Sequence, residues 1–415
     1  MSKQAMAAVL AALILVAGPY RPARASPATG EPITMWVPAR GGYLPLWRHV
    51  AELARRAHPH LQLALEPIWD DYTARLTLAL AERRAPPLVV VDAMTAARLA
   101  ARGFLADVTD RVAPYGGHPA ALTPFELGGR VWAVPAFLDP VLLYANEDQL
   151  RQAGVLPPQT GWSWQDLTEA ARRVQASGTA RWGMGVNGWP PMVMFVWQAG
   201  GELMVDGRPW TAEEPVVQAA TYYRDFVRTG ISPPAPRSWT EPPDLLFRAS
   251  QAPFVMGLFS DPLETPARPG PFAGDAAGPS GPAGFRASVS PVPRGPAGCA
   301  TWAWSEGVAA SQPASARALE AVGYLAEAVA RAGWMPLSDP DRDQATIAAR
   351  VSAPCARSLP AHPALWEFDA AWMEKVVVPL LSEGEGAPDS TEDVRRLLHA
   401  AAGALQQALT TQASR

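Results

Sequence analysis

Residues 33–37 read Ile-Thr-Met-Trp-Val, a run rich in β-forming side chains that ends at the loop sequence Pro-Ala-Arg-Gly-Gly of residues 38–42. Apolar residues then recur with helical spacing over residues 46–57, and residues 61–66 alternate between apolar and polar as a strand does. This stretch predicts a strand, a crossing helix and a second strand, which together form the first unit of a parallel sheet.

The same pattern continues for one more unit. Asp70 and Asp71 open a second predicted helix, because acidic side chains suit the positive end of a helix dipole. Residues 88–91 form a continuous apolar run, which is typical of a buried parallel strand, and residues 93–101 are predicted as a helix. The chain is therefore predicted to open as β-α-β-α-β and to belong to the α/β fold class.

Ligands of such sheets bind beyond the carboxyl ends of the strands. In this chain those ends are residues 36–42, 69–72 and 92–95. Four side chains in these segments are therefore candidate ligand contacts, expected to face one crevice: Trp36, Arg40, Asp71 and Asp92.

The amino terminus has the pattern of an export signal. Lys3 precedes an apolar run over residues 5–18, and residues 23–25 read Ala-Arg-Ala, an A-x-A cleavage site. We expect residues 1–25 to be removed, with an uncleaved anchor as the alternative reading. No Cys lies near the predicted cleavage site to accept a lipid, which favours a free periplasmic protein over a lipoprotein.

Size and charge limit the classes of function. The roughly 390 residues after the signal exceed the size at which one hydrophobic core stops growing, so two domains are expected. Charged residues make up 18% of the chain and the formal net charge is -4. No polybasic surface is therefore expected, which excludes nucleic acid and anionic lipid as partners.

Few residues offer metal or redox chemistry. Cys299 and Cys355 lie far apart in a chain expected in an oxidising compartment, and the sequence leaves a disulfide between them open. The six His residues show no metal-binding spacing. No metal site and no cofactor are predicted.

Motifs of catalysis are also weak. Residues 183–188 satisfy G-x-G-x-x-G, but Pro190 and Pro191 deny the immediate helix start that would hold a pyrophosphate. The sequence has no serine-hydrolase or Walker motif, and its paired acidic residues are adjacent in sequence, so their carboxylates diverge. No catalytic residues are predicted.

The 16 Trp residues are a high number for this length. An indole has a flat apolar face and one N–H donor, which suits the C–H face and hydroxyls of a pyranose ring. Packing in the core is the alternative reading for each of them.

One segment carries a resemblance. Residues 128–146 read Gly-Gly-Arg-Val-Trp-Ala-Val-Pro-Ala-Phe-Leu-Asp-Pro-Val-Leu-Leu-Tyr-Ala-Asn, followed by Gln-Leu-Arg-Gln-Ala-Gly at 149–154, Pro-Pro at 157–158 and Trp-Gln-Asp-Leu at 164–167. This order resembles the central signature of family 1 extracellular solute-binding proteins, the relatives of maltodextrin-binding protein. Trp132 stands where the family has Tyr.

The resemblance continues through residues 189–201, 246–259, 289–295 and 302–309, which follow the family's order and spacing. It implies a periplasmic-binding-protein-like fold of type 2, in which two α/β lobes joined by hinge strands close over a solute. The implied division is lobe 1 at residues 26–137 and 302–333, and lobe 2 at residues 138–301 and 334–415.

Hinge strands are implied near residues 133–138, 302–307 and 333–340. The stretch 262–284 is rich in Pro and Gly and is predicted as a mobile loop near the cleft or the lobe surface.

The resemblance also implies ligand contacts. Asp139 follows the first hinge, where relatives present an acid to sugar hydroxyls, although Asp139-Pro140 also reads as a simple turn. Three aromatic residues fall at positions where relatives offer stacking rings, and two further residues are expected to face the cleft: Trp189, Phe259 and Trp366, then Trp302 and Glu306.

The expected function is therefore carbohydrate capture by a monomeric, non-enzymatic periplasmic protein that delivers its ligand to the membrane subunits of an ABC importer. The same role for a glycerophosphodiester, polyol or peptide is the first alternative. An exported carbohydrate-active enzyme is the second, and it would need two carboxyl groups about 5–10 Å apart across the cleft.

Overall fold

The structure is a computed structural model that describes residues 31–39, 43–115, 119–206, 208–211, 213–235, 237–261, 263, 285–332, 343–384 and 386–410. Several expectations fall outside the described residues: the export signal of residues 1–25, Arg40, the hinge strand at 333–340, and the stretch 262–284 except for residue 263.

Three parallel strands form one side of the main sheet: β1 (Ile33–Pro38), β2 (Leu63–Ile68) and β3 (Leu88–Asp92). Strand β1 lies between the other two, with Ile33 opposite Leu63 and Met35 opposite Leu88. Each strand is followed by a helix: α1 (Tyr43–Ala57), α2 (Tyr72–Ala81) and α3 (Ala96–Ala101). The predicted β-α-β-α-β opening is confirmed, although α1 begins earlier than the predicted residue 46.

Local sequence explains these elements. Helix α1 buries Trp47, Val50 and Ala54, whose spacing of three and four residues puts them on one face. Asp71 caps α2, because its carboxylate accepts a hydrogen bond from the backbone N–H of Ala74 at 3.1 Å. The apolar residues of β3 are buried, as expected for a strand covered on both faces.

Short elements lead the chain to the centre of the molecule: α4 (Thr109–Val112), α5 (Pro119–Leu122), β4 (Glu126–Leu127) and β5 (Arg130–Val131). Gly128 and Gly129 turn the hairpin between β4 and β5 with φ values of 63° and 71°. Only residues without a Cβ reach this region without strain, which explains the Gly-Gly pair in the signature segment.

Two long antiparallel strands, β6 (Val134–Asn146) and β11 (Thr301–Ala310), form the centre of the sheet. The first half of β6 pairs with β11, which in turn pairs with β3. The second half of β6 lies between β9 (Phe254–Leu258) and β10 (Ala287–Pro291). Strand β6 therefore runs through both halves of the molecule.

The remaining elements surround the second half of β6 or follow β11. Among the described residues, no helix is long and apolar enough to cross a membrane. In chain order these elements are α6 (Glu147–Gln152), α7 (Trp164–Ala176), α8 (Met192–Gln198), β7 (Met204–Val205), β8 (Arg208–Pro209), α9 (Glu214–Arg228), α10 (Arg237–Thr240), α11 (Pro243–Arg248), α12 (Ala316–Arg331), α13 (Asp343–Ser352), β12 (Ala356–Arg357), α14 (Leu365–Trp372), α15 (Val378–Leu381) and α16 (Thr391–Thr410).

The buried apolar residues form two large cores. The first gathers β1, β3, α1 and α12 around side chains such as Trp47 and Val322. The second gathers β6, α7, α8 and α9 with the carboxyl-terminal helices, around side chains such as Phe195 and Phe368. We call the two bodies lobe 1 and lobe 2. The predicted two-lobed α/β fold is confirmed, while the exact lobe boundaries stay a prediction.

A disulfide joins Cys299 and Cys355, whose Cα atoms are 5.6 Å apart. It ties the residues just before β11 to those just before β12, which pairs with β11 in parallel. The sequence left this pairing open. Closing a loop of this length removes about 4 kcal/mol of unfolded-chain entropy in the simplest treatment.

Candidate functional site

A row of aromatic side chains crosses the junction of the lobes. Trp302 and Trp304 lie two residues apart on β11, so both project from the same face of the strand. Their ring centroids are 5.7 Å apart, and Trp189 of lobe 2 meets Trp302 edge-on at 5.6 Å. All three rings are half-buried, so each keeps some surface open to solvent.

Trp189 is held in place from two sides. Its ring N–H donates to the backbone carbonyl of Met256 at 2.7 Å. Its backbone N–H donates to the side-chain oxygen of Asn187 at 3.2 Å. The first bond fixes the loop before α8 against β9, and the second holds the shape of the loop itself.

Glu306 lies on the same face of β11 as the two Trp residues and is 1% exposed. Its carboxylate accepts a hydrogen bond from the indole N–H of Trp47 at 3.1 Å and one from Trp304 at 3.4 Å. A buried carboxylate is stabilised by such donors. Glu306 therefore orients a ring of the row from behind.

Asp139 lies opposite Trp304 on the neighbouring strand β6 and is 2% exposed. The Tyr43 hydroxyl donates to its carboxylate at 3.2 Å, and the backbone N–H of Ser260 donates at 3.0 Å. Tyr43 begins α1 in lobe 1, whereas Ser260 follows β9 in lobe 2. The carboxylate of Asp139 thus bonds to both lobes.

Burial controls the ionisation of this pair. Loss of water raises the pKa of Asp139 to about 7; hydrogen bonds from Ser260 and Tyr43 oppose the shift, and the charge of Asp261 adds to it. Burial likewise raises the pKa of Tyr43 well above its usual value, with smaller contributions from the charges of Asp139 and Glu306. The Tyr43 hydroxyl therefore stays protonated and available as a donor.

Three other predicted contacts have local structural roles. Asp71 is the exposed cap of α2. The carboxylate of Asp92 accepts from the N–H and hydroxyl of Thr95, at 2.8 and 2.9 Å. Trp36 packs beside α2, with the Arg75 guanidinium 5.3 Å from its ring centroid. These arrangements explain why each residue type is present without requiring a ligand.

The last two predicted aromatic residues differ in exposure. Phe259 is 3% exposed and packs in a lobe 2 cluster with Leu142 and Tyr144, so its ring is not presented to a ligand in this conformation. Trp366 is 56% exposed near the start of α14. The structure thus brings Asp139, Trp189, Trp302 and Glu306 together and places Phe259 and Trp366 elsewhere.

Sequence reasoning missed Trp304, Tyr43 and Trp47. Trp304 had a usable signal, because it lies two residues from Trp302 in a predicted strand and must share its face. The contacts of Tyr43 and Trp47 with Asp139 and Glu306 join residues 96 and 259 positions apart, and no local pattern reports them. Among the described residues, no group of three His, Cys, Asp or Glu could hold a metal ion.

Sequence comparison identifies one family and a partial relative. Residues 45–332 match the family described as bacterial extracellular solute-binding protein. A protein of Brucella abortus (strain 2308) named as a binding protein is 25% identical over 178 residues, which make up 40% of this chain and 42% of that protein. The chain therefore matches less than half the length of this relative.

Solved structures with the same two-lobed fold cover nearly the whole chain. The cyclic alpha-maltosyl-1,6-maltose binding protein from Arthrobacter globiformis has a TM-score of 0.71 at 17% identity, covering 92% of this chain and 100% of that one. The sugar-binding protein MalE from Xanthomonas citri has a TM-score of 0.68 at 15% identity, covering 92% and 98%. UgpB from Mycobacterium tuberculosis, in complex with glycerophosphocholine, has a TM-score of 0.65 at 20% identity, covering 93% and 100%.

These structural likenesses agree with the two cores and the shared central strands described above. The family pattern extends from α1 to the end of α12 and covers well over half of the sequence. This chain therefore belongs to the family of bacterial extracellular solute-binding proteins.

Proposed function

We propose that this protein captures a carbohydrate between its lobes and delivers it to the membrane subunits of an ABC importer. The observation that carries the proposal is the half-buried row of Trp189, Trp302 and Trp304 at the lobe junction. Indole faces suit the C–H faces of pyranose rings. A Trp side chain also loses little conformational entropy when it binds a ligand.

Two buried acids lie beside the row, and one of them, Glu306, accepts a hydrogen bond from the Trp304 ring. In the described conformation, the Asp139 carboxylate is already bonded to Tyr43 and Ser260, and that of Glu306 to Trp47 and Trp304. We therefore assign ring contacts to the three Trp residues. Because Asp139 is 2% exposed, its carboxylate would reach a ligand hydroxyl only if the groups that cover it moved away.

The shared strands support lobe closure as part of this proposal. Strands β6 and β11 cross the junction, so bending within them would change the angle between the lobes. A ligand that contacts both lobes stabilises the closed form, because it binds that form more tightly. A permease that recognises the closed form would then receive only protein that carries ligand. The protein itself would reach the outside of the cytoplasm by export, with removal of residues 1–25.

The ligands named for the structural neighbours indicate which classes of ligand to consider for this protein. Those names include maltosyl-maltose and glycerophosphocholine. Buried acids at the junction disfavour an anionic ligand to the extent that they are ionised, which for Asp139 increases as pH rises through about 7. We therefore place carbohydrate first and a glycerophosphodiester second. A polyol or a peptide follows as ligand. The last alternative is an enzyme that acts on a carbohydrate.

A thermal-shift screen of the protein lacking residues 1–25 tests the proposal. A ligand present at 100 times its dissociation constant should stabilise the folded state by about 2.7 kcal/mol. We expect a rise in Tm with mono- or oligosaccharides, which chromatography should recover unchanged after incubation. A rise with glycerophosphodiesters or peptides alone would overturn the carbohydrate assignment, and a cleaved sugar would overturn the binding role.

A further inference from the structure

A recess of about 360 Å³ lies in lobe 2 and shares the Trp189 ring as part of its wall. Its other walls come from the end of β9, at Met256–Leu258, and from α11 with the residues before it. The recess has room for about a dozen water molecules at ~30 Å³ each, and its volume lies within the usual range for ligand pockets.

Two charged side chains of the recess have no partner among the residues that the structure describes. Asp244 and Arg248 lie four residues apart on α11, and neither side chain forms a hydrogen bond or salt bridge with a described residue. Other polar groups of the recess are engaged, since Asn187 bonds to Trp189 and the carboxylate of Asp261 accepts from the N–H of Leu258 at 2.9 Å. A carboxylate and a guanidinium are thus available to a ligand.

The recess and the aromatic row share one side chain, that of Trp189. Trp189 lines it and also meets Trp302 at the lobe junction. Asp261 lines it as well, and its charge is close enough to raise the pKa of Asp139. A ligand on the row that extended past the Trp189 ring would therefore reach the recess.

The recess favours a neutral ligand that carries hydroxyl groups. It presents two carboxylates, Asp244 and Asp261, and one guanidinium, so its charge is net negative and disfavours an anion. A sugar ring offers hydroxyls that donate to Asp244 and accept from Arg248, while its C–H face suits the indole wall.

We propose that this recess is a subsite for a further sugar unit of an oligosaccharide whose other rings lie on the aromatic row. The protein would then select for chain length, because only a ligand long enough to pass Trp189 reaches Asp244 and Arg248. This inference rests on the proposed carbohydrate function.

Calorimetric titration with a series of oligosaccharides of increasing length tests the subsite. In the wild type, affinity should rise about tenfold at the length that first reaches the recess. The double variant Asp244→Asn, Arg248→Gln should lose that step and bind shorter sugars as the wild type does. Leu245→Ala is the matched control, since Leu245 lies on α11, is 51% exposed and does not line the recess.

Each outcome decides the inference. A length step that survives in the double variant, or short sugars binding with no length step at all, would overturn the subsite and leave the carbohydrate function standing. Failure of every carbohydrate would overturn both proposals. Melting curves of the variants show whether any loss comes from unfolding.

Discussion

Asp139 and Glu306 are both buried acids at the lobe junction, on neighbouring strands, yet their partners differ. Glu306 accepts hydrogen bonds from Trp47 and Trp304, which belong to α1 and to its own strand. Asp139 accepts from Tyr43 in lobe 1 and from Ser260 in lobe 2. One acid therefore fixes side chains near itself, and the other connects two bodies.

The two acids would respond differently to motion of the lobes. If the lobes open and close as proposed, Ser260 would move away from Tyr43 and the surroundings of Asp139 would change. The partners of Glu306 would move together, so the ring it orients would keep its place. We expect substitutions of Asp139 to alter how the protein responds to pH, and substitutions of Glu306 to alter the aromatic row.

The largest expected effect concerns pH. The pKa of Asp139 is about 7 in the folded protein, whereas an Asp in an unfolded chain has a pKa of about 3.9. The folded state therefore holds this proton more tightly, so its stabilisation is full below pH ~4 and is lost as pH rises to about 7, by roughly 4 kcal/mol. Urea unfolding at several pH values measures this loss.

The variant Asp139→Asn separates this contribution from other titrations. Its side chain has the same shape, can still accept from Ser260 and carries no proton that dissociates in this range. Its free energy of unfolding should fall less between pH 4 and pH 7 than that of the wild type. Parallel falls in the two proteins would show that Asp139 titrates normally.

The next effect is expected at Glu306. Replacing it with Ala leaves the indole N–H groups of Trp47 and Trp304 without this acceptor. The loss should cost about 3 kcal/mol of unfolding free energy, because Trp47 is fully buried and its N–H cannot bond to water instead. The near-UV circular dichroism of the Trp residues should change as well. Glu306→Gln retains an oxygen acceptor and should lose less; equal losses in both variants would contradict an orienting role.

The smallest effect is expected at Tyr43. Tyr43→Phe removes the hydroxyl that donates to Asp139 and keeps the ring stacked on Phe137, with centroids 5.6 Å apart. Stability should fall by about 1 kcal/mol. Because that hydrogen bond lowers the pKa of Asp139, the pH at which stability is lost should also move upward. An unmoved midpoint would show that Tyr43 does not act on Asp139.

Much of the fold could be predicted because its signals are local. The apolar run of β3 and the helical spacing of α1 depend on neighbours a few residues away, so they gave the parallel sheet directly. The family resemblance added the two lobes. The pairing of Cys299 with Cys355 joins distant positions, and neither spacing nor composition could decide it.

The candidate site was only partly predictable. Trp189 and Trp302 were expected and do meet, but Trp304 was overlooked although the period of a strand places it beside Trp302. Asp71 and Asp92 sit where ligand contacts were expected, yet their carboxylates cap local backbone, a competing use that sequence alone does not distinguish. Burial of Phe259 depends on packing across lobe 2.

The central claim is that the aromatic row binds carbohydrate. The most direct measurement is the dissociation constant, by calorimetric titration, of the best-binding carbohydrate for the wild type, Trp302→Phe and Trp302→Ala. We expect Trp302→Ala to weaken binding at least about tenfold, because it removes the ring face, and Trp302→Phe to retain most of the affinity. Equal affinity in all three proteins would contradict the claim.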